Sequence, residues 1–255
     1  MDPAPDPASS TRPKSVYLFG TCLVDLFFPE AGLSAIRLLE REGLRVIFPQ
    51  GQTCCGQPAF NSGYQAEARE VARAQIELFS EPHPIVAPSG SCAAMMRRHY
   101  PTLFEGDPFE ARARAFAARV YELTQFLDEV LRIRLADRGE KTRVTWHASC
   151  HALREMGIAE EPKRLLGQLH NVEIVTLPRE TECCGFGGTF SVRQPEISGA
   201  MVDDKAADVA ATGAPVLLSA DGGCLLNIAG RLEARGDRVA ARHIAEFLWE
   251  RTRER

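Results

Sequence analysis

Cys54-Cys55-Gly56 and Cys183-Cys184-Gly185 are two copies of one signature, and each stands at the centre of a cysteine quartet. A single cysteine precedes each pair, Cys22 and Cys150, and a single cysteine follows it, Cys92 and Cys224. The gaps hold 31 and 36 residues in the first set and 32 and 39 in the second. The order single, double with glycine, single therefore occurs twice and uses all eight cysteines of the chain. Chance does not arrange residues this way, so the chain is read as an internal repeat.

The flanking sequence repeats as well. Short β-prone runs lead into each first cysteine (Val16 to Phe19, Val144 to Trp146). Others lead into each pair (Val46 to Pro49, Glu173 to Pro178) and each last cysteine (Pro84 to Ala87, Pro215 to Leu218). Helical patterns lie between them, such as Leu33, Ile36, Leu39 and Leu44, or Ala66 through Phe79. Each half closes with a further helix, Leu123 to Leu131 and Ile244 to Trp249. Apolar strands alternating with helices predict an α/β fold with parallel sheets. The expectation is two pseudo-symmetric three-layer units with short parallel sheets flanked by helices, over residues 14–138 and 139–255. A hinge or linker is expected near Arg138-Gly139-Glu140-Lys141. Residues 1–13, rich in Pro and small polar residues, are expected to be a disordered tail. Ligands of open α/β sheets collect beyond the carboxyl ends of the strands. Each cysteine element follows a strand, so the sulfurs of each half are expected at one sheet edge.

Composition narrows the function classes. The 255 residues are 45% hydrophobic and 25% charged, with net charge −4, which points neither to nucleic acid nor to an anionic membrane. The N-terminus lacks a basic start and an apolar stretch, and no run approaches the roughly 18 apolar residues of a membrane span. A cytoplasmic location is expected. In a reducing compartment, clustered cysteines bind metal or do redox work more often than they form disulfides.

Thiolates suit iron–sulfur clusters, zinc or Cu(I). Structural zinc sites present Cys-x-x-Cys knuckles, which neither quartet has. Adjacent cysteines are poorly placed to chelate one ion, whereas a cluster offers each thiolate a different iron, so iron–sulfur is favoured. Glycine after each pair suits a backbone turning closely round an inorganic core, and equally suits an ordinary turn. Gly185, Gly187 and Gly188 lack the Lys-Ser/Thr of a phosphate loop and a full dinucleotide fingerprint. His147 and His151 bracket Cys150, where histidines can hydrogen-bond to metal ligands or carry protons, although such residues are more often packed or on the surface. No catalytic residue can be read from spacing alone.

Taken together, Gly20-Thr21-Cys22-Leu23-Val24-Asp25, Cys54 to Ala59, Pro88-Ser89-Gly90-Ser91-Cys92 and Cys183 to Phe190 resemble the cysteine-rich domain family named for its Cys-Cys-Gly motif. That family includes the cysteine-rich subunit of heterodisulfide reductase and the iron–sulfur subunits of glycolate oxidase and anaerobic glycerol-3-phosphate dehydrogenase. The resemblance covers about residues 15 to 250. It implies an oxidoreductase subunit, inactive alone, of a multi-protein system oxidising L-lactate to pyruvate. It implies a ferredoxin-type iron–sulfur partner and a third lactate utilization subunit. It also implies one or two clusters, 4Fe-4S in type, with Cys22, Cys54, Cys55, Cys92, Cys150, Cys183, Cys184 and Cys224 as ligands. The family motif ends Cys-x-x-Cys, and the first cysteine of that element is Ser89 in one half and Asp221 in the other, where Asp221 could supply an oxygen ligand. Two other readings stand beside this one. One is a zinc-binding scaffold; the other is the same redox role with glycolate, glycerol 3-phosphate or a thiol–disulfide couple as donor.

Overall fold

The computed structural model describes residues 12–254, so the tail expected over 1–13 lies, but for its last two residues, outside the described residues. Two four-stranded sheets, every strand parallel to its neighbours, are flanked by helices. The first contains β1 (Ser15–Leu18), β2 (Arg45–Ile47), β3 (Ile85–Ala87) and β4 (Val120–Glu122), in the order β2-β1-β3-β4. The second contains β5 (Thr142–Trp146), β6 (Val172–Val175), β7 (Val216–Ser219) and β8 (Ala240–His243), in the matching order β6-β5-β7-β8. Parallel strands covered on both faces read as unbroken apolar runs. Ile85, Val86 and Ala87 of β3 are accordingly all inaccessible to solvent.

Each sheet has one more strand than the apolar runs foretold. β4 is only three residues long, and β8, Ala-Ala-Arg-His, carries no β-branched or aromatic residue. These edge strands exist because a buried neighbour offers them a ladder, Ile85 pairing with Val120 and Leu217 with Ala241. Strand preference follows the packing surface more than the backbone. The closing helices appear where expected, although the first continues from Leu123–Gln125 into a wider π-type turn at Phe126–Val130. Helix Pro29–Arg41 buries Ala31, Ala35, Leu38 and Leu39, so Leu33 of the expected apolar set faces outward.

One core cluster is shared by both halves, joining Leu38, Leu39, Phe126 and Leu127 to Leu165, Leu166, Ile244 and Leu248. The helices exchange partners to make it. Pro29–Arg41, in the first half, packs on Ile244–Thr252, which ends the second. Glu161–Gly167, in the second half, packs on Phe126–Val130, which ends the first. Burying a leucine side chain stabilises by about 1.5–3 kcal/mol, so this shared cluster ties the halves firmly. The connecting segment is also held. Arg251 grips the Asp137 carboxylate with two hydrogen bonds of 2.8 Å, and its Nη1 donates to the Glu140 carbonyl at 2.6 Å. The stretch expected as a hinge is thereby clamped onto the last helix.

Candidate metal centre

Every cysteine stands just past the carboxyl end of a strand. Cys22 opens helix Cys22–Phe27 after β1, Cys54 and Cys55 sit in the loop after β2, and Cys92 lies in helix Gly90–Ala94 after β3. Cys150 follows β5, Cys183 and Cys184 follow β6, and Cys224 lies in helix Gly222–Arg235 after β7. All eight are free thiols. They line a single cavity of about 200 Å³ between the halves.

Contacts between sulfurs run within each quartet. The Cys55 thiol donates to Cys92 Sγ at 3.4 Å, and Cys150 to Cys183 Sγ at 4.0 Å. The two sulfur groups, one from each half, open onto one space. The cause is helix packing across the boundary. Gly90–Ala94 lies against the segment after Cys150, and Gly222–Arg235 lies against Cys22–Phe27. A Cβ on Gly90 would stand 2.6 Å from Ala152 Cβ, so only glycine permits that approach.

The central pairs turn alike. Gly56 and Gly185 both adopt left-handed backbone, φ +82° and +84°, which a side chain disfavours. At Gly185 a Cβ would also stand 2.7 Å from the Ser198 carbonyl oxygen. These turns leave Cys54 and Cys183 surrounded by donors. Hydrogen bonds from the Cys22 and Cys55 thiols hold the Cys54 pKa far below the usual thiol range. Bonds from Cys150 and Cys184 do the same for Cys183, helped by the Gly185 N–H at 3.4 Å. Cys22 and Cys150 are pushed up by donating those bonds and by burial. Each quartet thus forms one thiolate readily, at Cys54 and at Cys183.

Ser89 and Asp221 cap helices. The Ser89 hydroxyl accepts from the Cys92 N–H at 3.4 Å. Asp221 Oδ1 accepts from the Gly223 N–H at 3.2 Å, while Oδ2 accepts from the Ser91 N–H of the other half at 2.9 Å. The carboxylate that sequence reasoning offered to a metal is therefore engaged with backbone. Thr21 and Ser149, which sequence reasoning passed over, also line the cavity, and their place immediately before Cys22 and Cys150 was the signal for them.

The two histidines differ. His151 Nδ1 lies 3.5 Å from Cys150 Sγ, and its ring is partly exposed beside Glu155. His147 is fully buried, with neither ring nitrogen hydrogen-bonded. One of its nitrogens and the sulfurs of Cys184 and Cys224 lie within 4.8 Å of one another, a grouping able to hold an ion. Burial pulls its pKa down to about 3, so the ring is neutral and free to ligate.

A sequence model described as a cysteine-rich domain matches residues 16–97 and again 144–229. The chain is also 49% identical over 234 residues to a Geobacillus kaustophilus protein named lactate utilization protein A, covering 91% of this chain and 98% of that one. The chain belongs to this cysteine-rich domain family. Another member with that name, from Halalkalibacterium halodurans, is 44% identical over 241 residues, covering 94% of this chain and 99% of the relative. Among solved structures, a hypothetical protein from Helicobacter pylori shares the fold with TM-score 0.68 at 13% identity. That match covers 95% of this chain and 50% of the other. The donor set fits the metal chemistry of a cysteine-rich domain: eight free thiols converge, glycine clears the backbone turns, and a buried imidazole lacks a partner.

Proposed function

We propose that this chain is the iron–sulfur subunit of a multi-protein system that oxidises L-lactate to pyruvate. The observation that carries the iron–sulfur assignment is the convergence of all eight thiols, each quartet built round an adjacent pair, on one cavity at the strand ends. The lactate assignment rests on relatives named lactate utilization protein A. Cys22, Cys54, Cys55 and Cys92 would hold one 4Fe-4S cluster, and Cys150, Cys183, Cys184 and Cys224 a second. Such clusters accept and release single electrons.

The chain's own residues set the conditions for that. The low thiol pKa of Cys54 and Cys183 gives each quartet a first anionic ligand at neutral pH. Burial of Cys55, Cys92, Cys184 and Cys224 keeps water from one side of each group. Lactate oxidation removes two electrons and two protons, commonly with a hydride passed to a flavin or nicotinamide. That step is assigned to a partner, with a ferredoxin-type iron–sulfur protein and a third lactate utilization subunit completing the system. A cytoplasmic location accords with eight unpaired thiols. Among the described residues no helix is long and apolar enough to cross a membrane.

The experiment is anaerobic purification, followed by iron, zinc and acid-labile sulfide analysis and by assembly with the two partner proteins. Expected are a brown protein with iron and sulfide, negligible lactate oxidation alone, and lactate-dependent acceptor reduction by the assembly. Stoichiometric zinc without sulfide would replace this reading with a scaffold. Faster turnover of glycolate or glycerol 3-phosphate than of L-lactate would move the donor.

A further inference from the structure

The two halves repeat one another closely enough that a departure between matched positions is informative. His147 lies three residues before Cys150, and Phe19 lies three residues before Cys22. Both follow the central strand of their sheet directly, and both are wholly buried. Phe19 belongs to an apolar cluster with Phe79 and Tyr17. In the second half the same location holds an imidazole with two unpartnered nitrogens. The strand beside it departs in the same direction. Ser219 ends β7 one residue past the Trp146–Leu218 pairing, and its hydroxyl is also buried without a partner. The matching residue in β3, five before Cys92 as Ser219 is five before Cys224, is Ala87.

A buried polar group left without a hydrogen bond costs about 1–3 kcal/mol, and native structures hold few of them. An unpartnered, wholly buried ring nitrogen grouped with two thiols indicates a ligand that satisfies it. Neither ring nitrogen hydrogen-bonds to a sulfur, yet nitrogen and the two sulfurs are grouped within 4.8 Å. An ion with bonds of about 2.0–2.3 Å to nitrogen and sulfur fits between atoms so spaced.

We propose that His147 is a nitrogen ligand of the second centre, so that the chain carries two chemically unequal sites. The first is all-thiolate, at Cys22, Cys54, Cys55 and Cys92. The second is mixed, with His147 joining the second quartet and occupying a donor place that the Asp221 carboxylate, engaged with the Ser91 and Gly223 amides, does not fill. The two centres would then differ in ligand set, and with it in reduction potential.

This inference rests on the iron–sulfur reading, and its test separates the two. The full chain, anaerobically loaded with iron and sulfide and partly reduced, is compared by pulsed EPR after growth on natural and on 15N-labelled histidine. A directly coordinated histidine nitrogen is expected on one of two reduced signals. It should persist in Cys54→Ser, disappear in Cys183→Ser, and be lost in His147→Phe with a shift of that centre's midpoint potential. The labelled wild-type protein answers the question even if His147→Phe fails to fold. Iron and sulfide present with no coordinated histidine nitrogen would overturn the assignment of His147 alone. Absence of iron and sulfide after loading would overturn this inference together with the function on which it rests.

Discussion

Asp221 Oδ2 accepts a hydrogen bond from the Ser91 N–H at 2.9 Å, joining the first turn of a helix in one half to the capping residue of a helix in the other. The carboxylate is 4% exposed, and its other oxygen accepts from Gly223 N–H within its own half. One side chain thus serves two helix N-termini, where backbone dipoles favour an anion. Ser89 and Ser149 hydroxyls stand 3.4 Å from the same oxygen.

Asp221→Ala is therefore expected to destabilise the metal-free chain by about 2–3 kcal/mol, from a lost cap and an unsatisfied buried N–H. Asp221→Asn, which retains one acceptor, should lose less than half of that. Urea unfolding under reducing conditions measures both, and equal midpoints for wild type and Asp221→Ala would refute the bridging role.

Gly185→Ala should be more damaging than Gly56→Ala. Both impose about 1–2 kcal/mol for a Cβ in the left-handed region. Only at Gly185 does the Cβ also approach a backbone oxygen, 2.7 Å away, whereas at Gly56 the nearest atom is a Val71 methyl at 3.3 Å. Melting temperature and the sulfide retained after loading should rank wild type, then Gly56→Ala, then Gly185→Ala.

Arg251→Met should cost about 3–5 kcal/mol, because it leaves the Asp137 carboxylate buried and unpaired. Asp137→Asn in the same chain should restore part of the loss by removing the stranded charge. A double-mutant cycle on denaturant midpoints reads the coupling directly.

His243 predicts loss of stability in acid. Its Nε2 is bonded to the Pro88 carbonyl at 3.1 Å, and burial pulls its pKa from 6.5 down to about 4. Below 6.5 the unfolded chain binds the proton and the folded chain does not, so stability falls as pH drops from 6.5 towards 4. The contribution is at most about 3 kcal/mol. Glu122, at the matching place before the first closing helix, acts oppositely. Burial lifts its pKa from 4.5 to about 7, so its contribution falls as pH rises across that interval. His243→Gln should flatten the acid limb of a stability profile, and Glu122→Gln should remove the decline between pH 4.5 and 7.

Strand order beyond the cysteine elements was harder to read than the elements themselves. The six apolar runs before the cysteines are strands because each carries its own β-branched or aromatic residues. β8 carries none and depends on β7 for its ladder, so periodicity alone could not reveal it. Leu33 shows a related limit: its spacing fits the buried face of its helix, yet the packed face is set by Ala31, Ala35, Leu38 and Leu39 against the last helix of the other half.

What the amino-acid sequence determined by itself is local: two cysteine quartets, each pair followed by a glycine turn, each cysteine element placed after an apolar strand in an α/β alternation. These follow from residue type and short spacing, because a strand delivers the next few residues to its carboxyl edge and glycine alone turns left-handed at little cost. What only the tertiary structure decided is how the halves meet. The common cavity, the Asp221 bridge to Ser91 and the unpartnered ring of His147 each depend on atoms brought together by helix exchange between residues far apart in the chain, or across a sheet. Spacing along the chain carries no record of such neighbours; the packing that buries Leu38, Phe126, Leu165 and Leu248 in one core creates them.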